Sequence, residues 1–198
     1  MRVQGVAGMF GRLAAVLSGL ALFACSTVGV RETPQPAYAV TARLGDVEIR
    51  QYGARVAAET VVSGDELDAR DAGFRRLAGY IFGGSTKIAM TAPVAQAREA
   101  GGWQIRFFMP ADSTLQTLPT PDDPAVKLVA VPPETVAVLR FSGSPTPQAV
   151  LDNTNELVAA LERTAWRPAG APEAWFYDPP WTLPPLRRNE VAIPVSPN

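Results

Sequence analysis

The chain has 198 residues, 18 basic and 19 acidic side chains, a formal charge of −1, one cysteine and no histidine. So even a balance argues against a nucleic-acid surface, which needs a basic stripe. The missing histidine removes the commonest general base, the commonest metal ligand and the usual heme ligand together. A lone Cys25 rules out an internal disulfide, and without histidine the Ser-His-Asp and Cys-His nucleophilic schemes lack their base.

The first 24 residues carry Arg2 and Arg12, no acid, and an apolar run from Leu13 to Ala24. That run is too short for a comfortable membrane span and reads as a signal peptide over 1–24. Leu22-Phe23-Ala24-Cys25 resembles a bacterial lipobox, which implies acylation of Cys25 and attachment to a membrane. Ordinary cleavage near Ala24-Cys25-Ser26 is the alternative, and a buried N-terminal helix the third. Either of the first two makes this an exported protein of the cell envelope, at the outer membrane or in the periplasm if the host has one. The remaining 174 residues hold 16 basic and 19 acidic side chains, a net of −3, and suit one domain.

Residues 25–44 read as the modified cysteine and a proline-containing tether, and 45–196 as the domain. Strands are predicted over 47–52 and 55–62, with Val56, Ala58, Thr60 and Val62 on one face. Ser63 to Glu66 reads as a capping box, and Leu67, Phe74, Leu77, Ala78 and Ile81 as the core stripe of a helix ended by Gly83-Gly84. Alternation predicts strands through Ile88–Val94 and Trp103–Met109, followed by a Pro- and Asp-rich loop over 110–125. Strands near 126–131 and 136–142 follow, and Thr146-Pro147 then caps a second helix lined by Val150, Leu151, Leu157, Val158 and Leu161. Strands near 175–177 and 191–195 close the chain. Ser63-Gly64 and Ser142-Gly143 occupy matching strand-to-helix junctions, so the chain divides into two β-β-α-β-β halves of a pseudo-twofold α+β domain.

Between the last two strands lies Tyr177-Asp178-Pro179-Pro180-Trp181-Thr182-Leu183-Pro184-Pro185-Leu186-Arg187-Arg188-Asn189-Glu190-Val191. Each Pro-Pro step fixes φ and removes donors, which predicts two stiff extended arches. This segment resembles the closing motif of the SOUL heme-binding family. Gly73–Gly84, Lys87–Val94, Phe107–Pro110 and Val138–Gly143 resemble further motifs of that family in the expected order. The resemblance covers about residues 40–196 and implies a distorted, largely antiparallel β-barrel with two flanking helices. It also implies a tetrapyrrole ligand, with heme as the cofactor, bound weakly because no histidine can ligate iron.

The residues that could serve such a ligand are Phe74, Tyr80, Phe82, Trp175, Tyr177 and Trp181 for its faces and Arg75, Arg76, Arg187 and Arg188 for its carboxylates. Met90 and Tyr80 head the candidate axial donors, with Met109, Tyr52, Tyr177 and the two lysines behind them. Each also has a packing role: the aromatics and Met90 as core, Arg75 and Arg76 as a solvated helix face. For Arg187 and Arg188 the competing role is to hold Glu190 or the carbonyls of the arch. Asp178 and Glu190 are the one carboxylate pair placed for acid-base chemistry, but the adjacent arginines favour structural pairing. The function these readings support is a non-enzymatic envelope lipoprotein that binds tetrapyrrole or another flat apolar carboxylate. The alternative is a structural or interaction module of the envelope that binds no heme.

Overall fold

A computed structural model describes residues 33–198; the signal-peptide and lipidation readings lie outside them. Ten strands form one antiparallel sheet: β1 (Tyr38–Leu44), β2 (Val47–Tyr52), β3 (Arg55–Val62), β4 (Val94–Glu99), β5 (Gly102–Phe108), β6 (Lys127–Val131), β7 (Glu134–Phe141), β8 (Trp166–Pro168), β9 (Glu173–Phe176) and β10 (Asn189–Pro197). Helix α1 (Glu66–Gly83) follows β3, and α2 (Pro147–Leu161) follows β7.

The strand order is β1-β2-β7-β10-β9-β4-β5-β3-β6, with β8 added beside β10. Without β1, the order is unchanged when β2 is exchanged with β6, β3 with β7, β4 with β9 and β5 with β10. The two halves expected from the repeat are therefore real, and they meet where β4 pairs with β9 through Ala95↔Trp175 and Ala97↔Glu173. Gly64 and Gly143 mark the same junction in each half at φ 113° and 98°, where a side chain would be strained. The axis is also marked by Arg55 and Glu134, which occupy equivalent positions and pair with each other.

Gly53 and Ala54 alone join β2 to β3, yet these strands lie six places apart in the sheet. Pro132 and Pro133 impose the same constraint on β6 and β7. The sheet must therefore curl until its ends approach, and Tyr52 of β2, Ala57 of β3, Val131 of β6 and Val136 of β7 share one core cluster. The edge strands β1 and β6 do not pair, so the barrel implied by the resemblance is an open curled sheet. Both helices cover the outer face, α1 over Ala58, Ile105 and Phe107 and α2 over Ala137, Leu139, Val191 and Ile193.

Several local expectations change. Residues 38–44, read as tether, form the edge strand β1, so the domain begins earlier than residue 45. The cap of α1 is Asp65, whose carboxylate accepts from Leu67 N and Asp68 N, rather than Ser63. Its buried line is Ala69, Gly73, Leu77 and Ile81, while Leu67 and Phe74 face outward. The helix lies so close to β5 that a Cβ on Gly73 would sit 2.3 Å from Ile105 Cγ1. Residues 88–93 neither alternate in burial, since Thr91, Ala92 and Pro93 are all buried, nor form a ladder: Ile88 N donates to Ile81 O, Ala92 N to Pro34 O, and Pro93 has no donor. In α2, Leu157 and Leu161 are buried but Leu151 and Val158 are exposed. The second arch is not extended throughout, because Pro184–Leu186 makes one 3-10 turn.

Candidate functional site

The curl carries charged side chains onto the concave face of the sheet, where a buried carboxylate must be neutralised. Glu190 of β10 is fully buried. Arg50 of β2 donates to both its oxygens, at 2.8 and 3.1 Å. Arg188 donates twice to Oε1, at 2.9 and 2.7 Å, and the Tyr177 hydroxyl donates to Oε2 at 2.7 Å. These charge-assisted, partly bidentate bonds are the strong kind. Burial and the Glu190 charge push the Tyr177 hydroxyl far above the usual phenol range. Burial alone would lower Arg50, but the bond and charge of Glu190 outweigh it and raise it. Glu190 thus has its oxygens taken by three side chains, which suits a clamp rather than a proton-transfer base.

Asp178 accepts from the Arg188 backbone N–H at 2.6 Å, so the second carboxylate of the candidate acid-base pair also holds the arch. Arg187 turns inward to donate to the carbonyls of Thr182 and Pro180. Both arginines therefore take the structural role weighed for them in the sequence. Arg50 is the partner that sequence reasoning missed: it lies 140 residues from Glu190, and only the placing of β2 and β10 on either side of β7 brings the two together.

A cleft of about 720 Å³ opens beside this clamp, lined by β1, β2, β7, β10 and α2. Its walls carry four arginines (Arg43, Arg50, Arg140, Arg188) and four acids (Asp46, Glu48, Glu156, Glu190). Three of these arginines are engaged by Glu48 or Glu190. Tyr38, Val138, Leu139 and Phe141 line it as well, but a lining dominated by self-paired charges suits a flat apolar ligand poorly.

The other surface is the outer shoulder of α1. Leu67, Phe74 and Phe82 are 45, 40 and 50% exposed along one side of the helix, and Phe74 packs by its ring against Phe107 at 5.3 Å between centroids. Arg75 lies beside them in an exposed pair with Asp71. Lys87 reaches the Phe82 carbonyl at the end of the helix, where a cation complements the helix dipole. Arg76 points elsewhere, to Thr60 Oγ1 and Asp123. The Tyr80 hydroxyl donates to Pro119 O at 2.8 Å, and Met90 is half-buried against the core beneath α1.

The sequence candidates therefore separate into two groups. Phe74 and Arg75 lie on the α1 shoulder, with Arg76, Tyr80 and Met90 on or under the same helix but engaged inward. Tyr177, Trp181, Arg187 and Arg188 belong to the arch, where only Trp181, 77% exposed, is open to a partner. Phe82 joins the shoulder group, while Trp175 is buried in the core; Leu67 and Lys87 complete the shoulder from outside the candidates for ligand faces and carboxylates. Leu67 carries no separate signal in the sequence, because its spacing also fits a core stripe.

Among solved structures, the EcmrR C-terminal domain has 8% identity and a TM-score of 0.58, over 77% of this chain and 98% of that one. The EcmrR–DNA complex has 9% identity and a TM-score of 0.60, over 92% of this chain and 65% of that one. A hydrolase from Listeria innocua has 12% identity and a TM-score of 0.55, over 79% and 94%. At such identities the likeness is one of fold. No curated protein matches. The family pattern described as SOUL heme-binding protein matches residues 33–194, from before β1 into the last strand, and the chain belongs to that family.

Proposed function

We propose that the domain is a non-enzymatic binder of tetrapyrrole, or of another flat apolar carboxylate, on the outer shoulder of α1. The observation that carries this reading is the row of Leu67, Phe74 and Phe82 left 40–50% exposed, with the cations Arg75 and Lys87 beside it. The row supplies apolar contact for a ring face, the main source of affinity. Arg75 and Lys87 meet carboxylates at the rim, where exposed ion pairs add about 0–1 kcal/mol each. Iron finds no strong ligand on this surface, since Met90 is tucked inward and the Tyr80 hydroxyl is committed to Pro119. The leader reading places this binder in the cell envelope, held to a membrane through Cys25.

Titration with hemin and with iron-free protoporphyrin tests the reading. Both should bind weakly and within about tenfold of each other, a gap of about 1.4 kcal/mol. Phe82→Asp should weaken both. A large preference for hemin that disappears in Met90→Leu would instead place an axial ligand at Met90. Failure of both porphyrins to bind at high micromolar concentration would leave the shoulder as a protein-contact surface. That second reading has its own support, because Arg75 is already paired with Asp71.

A further inference from the structure

We infer that the closing arch is a lipid-contacting loop, whose tip seats Trp181, Leu183 and Leu186 in the interfacial region of a membrane. Pro179, Pro180, Trp181, Leu183, Pro184, Pro185 and Leu186 are all exposed, and only Thr182 among residues 179–186 is buried. Trp181 is 77% exposed and Leu183 58%, the two largest values among the exposed large apolar side chains. A loop could be apolar and still be barred from lipid by its backbone, since each unmatched polar group is costly there. This loop has largely solved that problem within itself. Its four prolines bring no N–H. The carbonyl of Pro179 accepts from Thr182 N, that of Leu183 from Leu186 N, and that of Pro184 from Arg187 N and Gly143 N. The Arg187 guanidinium takes up the carbonyls of Pro180 and Thr182. Five successive or near-successive carbonyls are thus matched by the protein itself, which water at an ordinary surface loop would make unnecessary.

Rigidity favours the same environment. Four fixed φ angles and the clamp beneath the arch leave little loop entropy to lose on docking. Tryptophan has the amphipathic ring that concentrates at the membrane–water interface. The route of the chain then chooses lipid over a protein partner. Gln35 Oε1 accepts from Arg188 Nη1 at 3.1 Å, so the polypeptide enters the domain beside the base of the arch. Gln35 lies ten residue steps after Cys25, a span of at most about 35 Å. A chain held in a bilayer by its apolar leader or by Cys25 therefore keeps the arch within reach of that bilayer. This step rests on the envelope reading given above.

The test uses the full chain mixed with phosphatidylcholine–phosphatidylglycerol vesicles, with and without brominated acyl chains. Flotation reads membrane association, and the difference in tryptophan emission between wild type and Trp181→Phe isolates Trp181 from Trp103, Trp166 and Trp175. Phenylalanine keeps the loop apolar, so the variant should float as well as wild type. The Trp181 component should shift to shorter wavelength on vesicles, lose at least half its intensity to brominated lipid, and become several-fold less quenched by acrylamide. Leu183→Asp should reverse these three changes while leaving flotation intact. A chain that floats with Trp181 still at its aqueous wavelength and open to acrylamide overturns the arch proposal alone. A chain that fails to float overturns both the arch proposal and the membrane-held reading beneath it.

Discussion

Glu190 shows how one residue decides the behaviour of its neighbours. Removing either arginine leaves a buried carboxylate short of its counter-charge, so Arg50→Ala and Arg188→Ala should each cost about 3–5 kcal/mol. Urea unfolding of these variants, alone and combined with Glu190→Gln, checks this, and the combined losses should fall well short of additive because the pairs share one acceptor. Tyr177 adds a pH dependence whose sign follows from its proton. Burial and the Glu190 charge hold that proton on in the folded state, whereas the unfolded phenol releases it near pH 10. Tyr52, pushed up to about 12 chiefly by burial, behaves alike. The stability these two contribute is complete below about pH 10 and is lost as pH rises above it. Tyr177→Phe should weaken the protein by about 1.5–3 kcal/mol at pH 8 through its lost bond to a charged acceptor. The same variant should make the decline above pH 10 shallower, which unfolding at stepped pH would read. Glu48 adds an acid-side term: burial pushes its carboxyl up, but Arg50 and Arg43 more than offset this and leave it lowered. Its contribution is present above about pH 4.5 and lost below as it protonates. Of this cluster, Arg188 with Glu190 was legible in the sequence because only Asn189 separates them. Arg50 was not, since no local spacing encodes a contact across β7.

At the scale of the element, legibility followed burial contrast. Strands β2 and β3 match their predicted spans, and Thr146-Pro147 starts α2 as read, with the Thr146 hydroxyl accepting from Ala149 N. Strand β1 escaped because Tyr38–Leu44 is exposed or half-exposed along its whole length, leaving no alternation to find. Helix α1 misled in a different way. Its large apolar residues Leu67 and Phe74 have the spacing of a core stripe, yet the line against the sheet runs through small Ala69 and Gly73 because the backbones approach so closely. Phe74 and Phe82 were thus legible as aromatic candidates, but not their alignment with Leu67 on one outward stripe. Two glycines of the same helix make this testable. Gly73→Ala would drive a methyl into Ile105 and should destabilise by about 1–3 kcal/mol, despite alanine's better helix propensity. Gly79 has no atom within 4 Å of its would-be Cβ, so Gly79→Ala should stabilise by about 0.4–1 kcal/mol. Thermal unfolding of the pair should move in opposite directions, and equal shifts would contradict the close approach of α1 to β5.

At the scale of the molecule, the palindromic strand order makes each half depend on the other. Strand β2 of the first half lies against β7 of the second, and β6 of the second lies against β3 of the first. These exchanged strands, with the β4–β9 seam and the Arg55–Glu134 pair, place much of the inner core between the halves rather than within them. Tyr52 stacks edge-on against Trp175 at 5.8 Å, joining the first half to the second inside the curl. Neither half could therefore bury its own inner face, although each carries a complete helix-on-sheet layer. The loop over 110–125 is largely exposed and passes between β5 and β6, so a break there leaves every strand pair formally intact. Fragments 33–114 and 115–198 made separately should show helical circular dichroism but poorly dispersed amide resonances, the mark of layers without a fixed core. Mixed, they should form a one-to-one complex with native dispersion, less stable than the intact chain because association must then supply what the covalent link gave. If fragment 33–114 alone gave a native-like spectrum, the first half would be a free-standing domain, and the exchange of β2 and β6 would be incidental to folding.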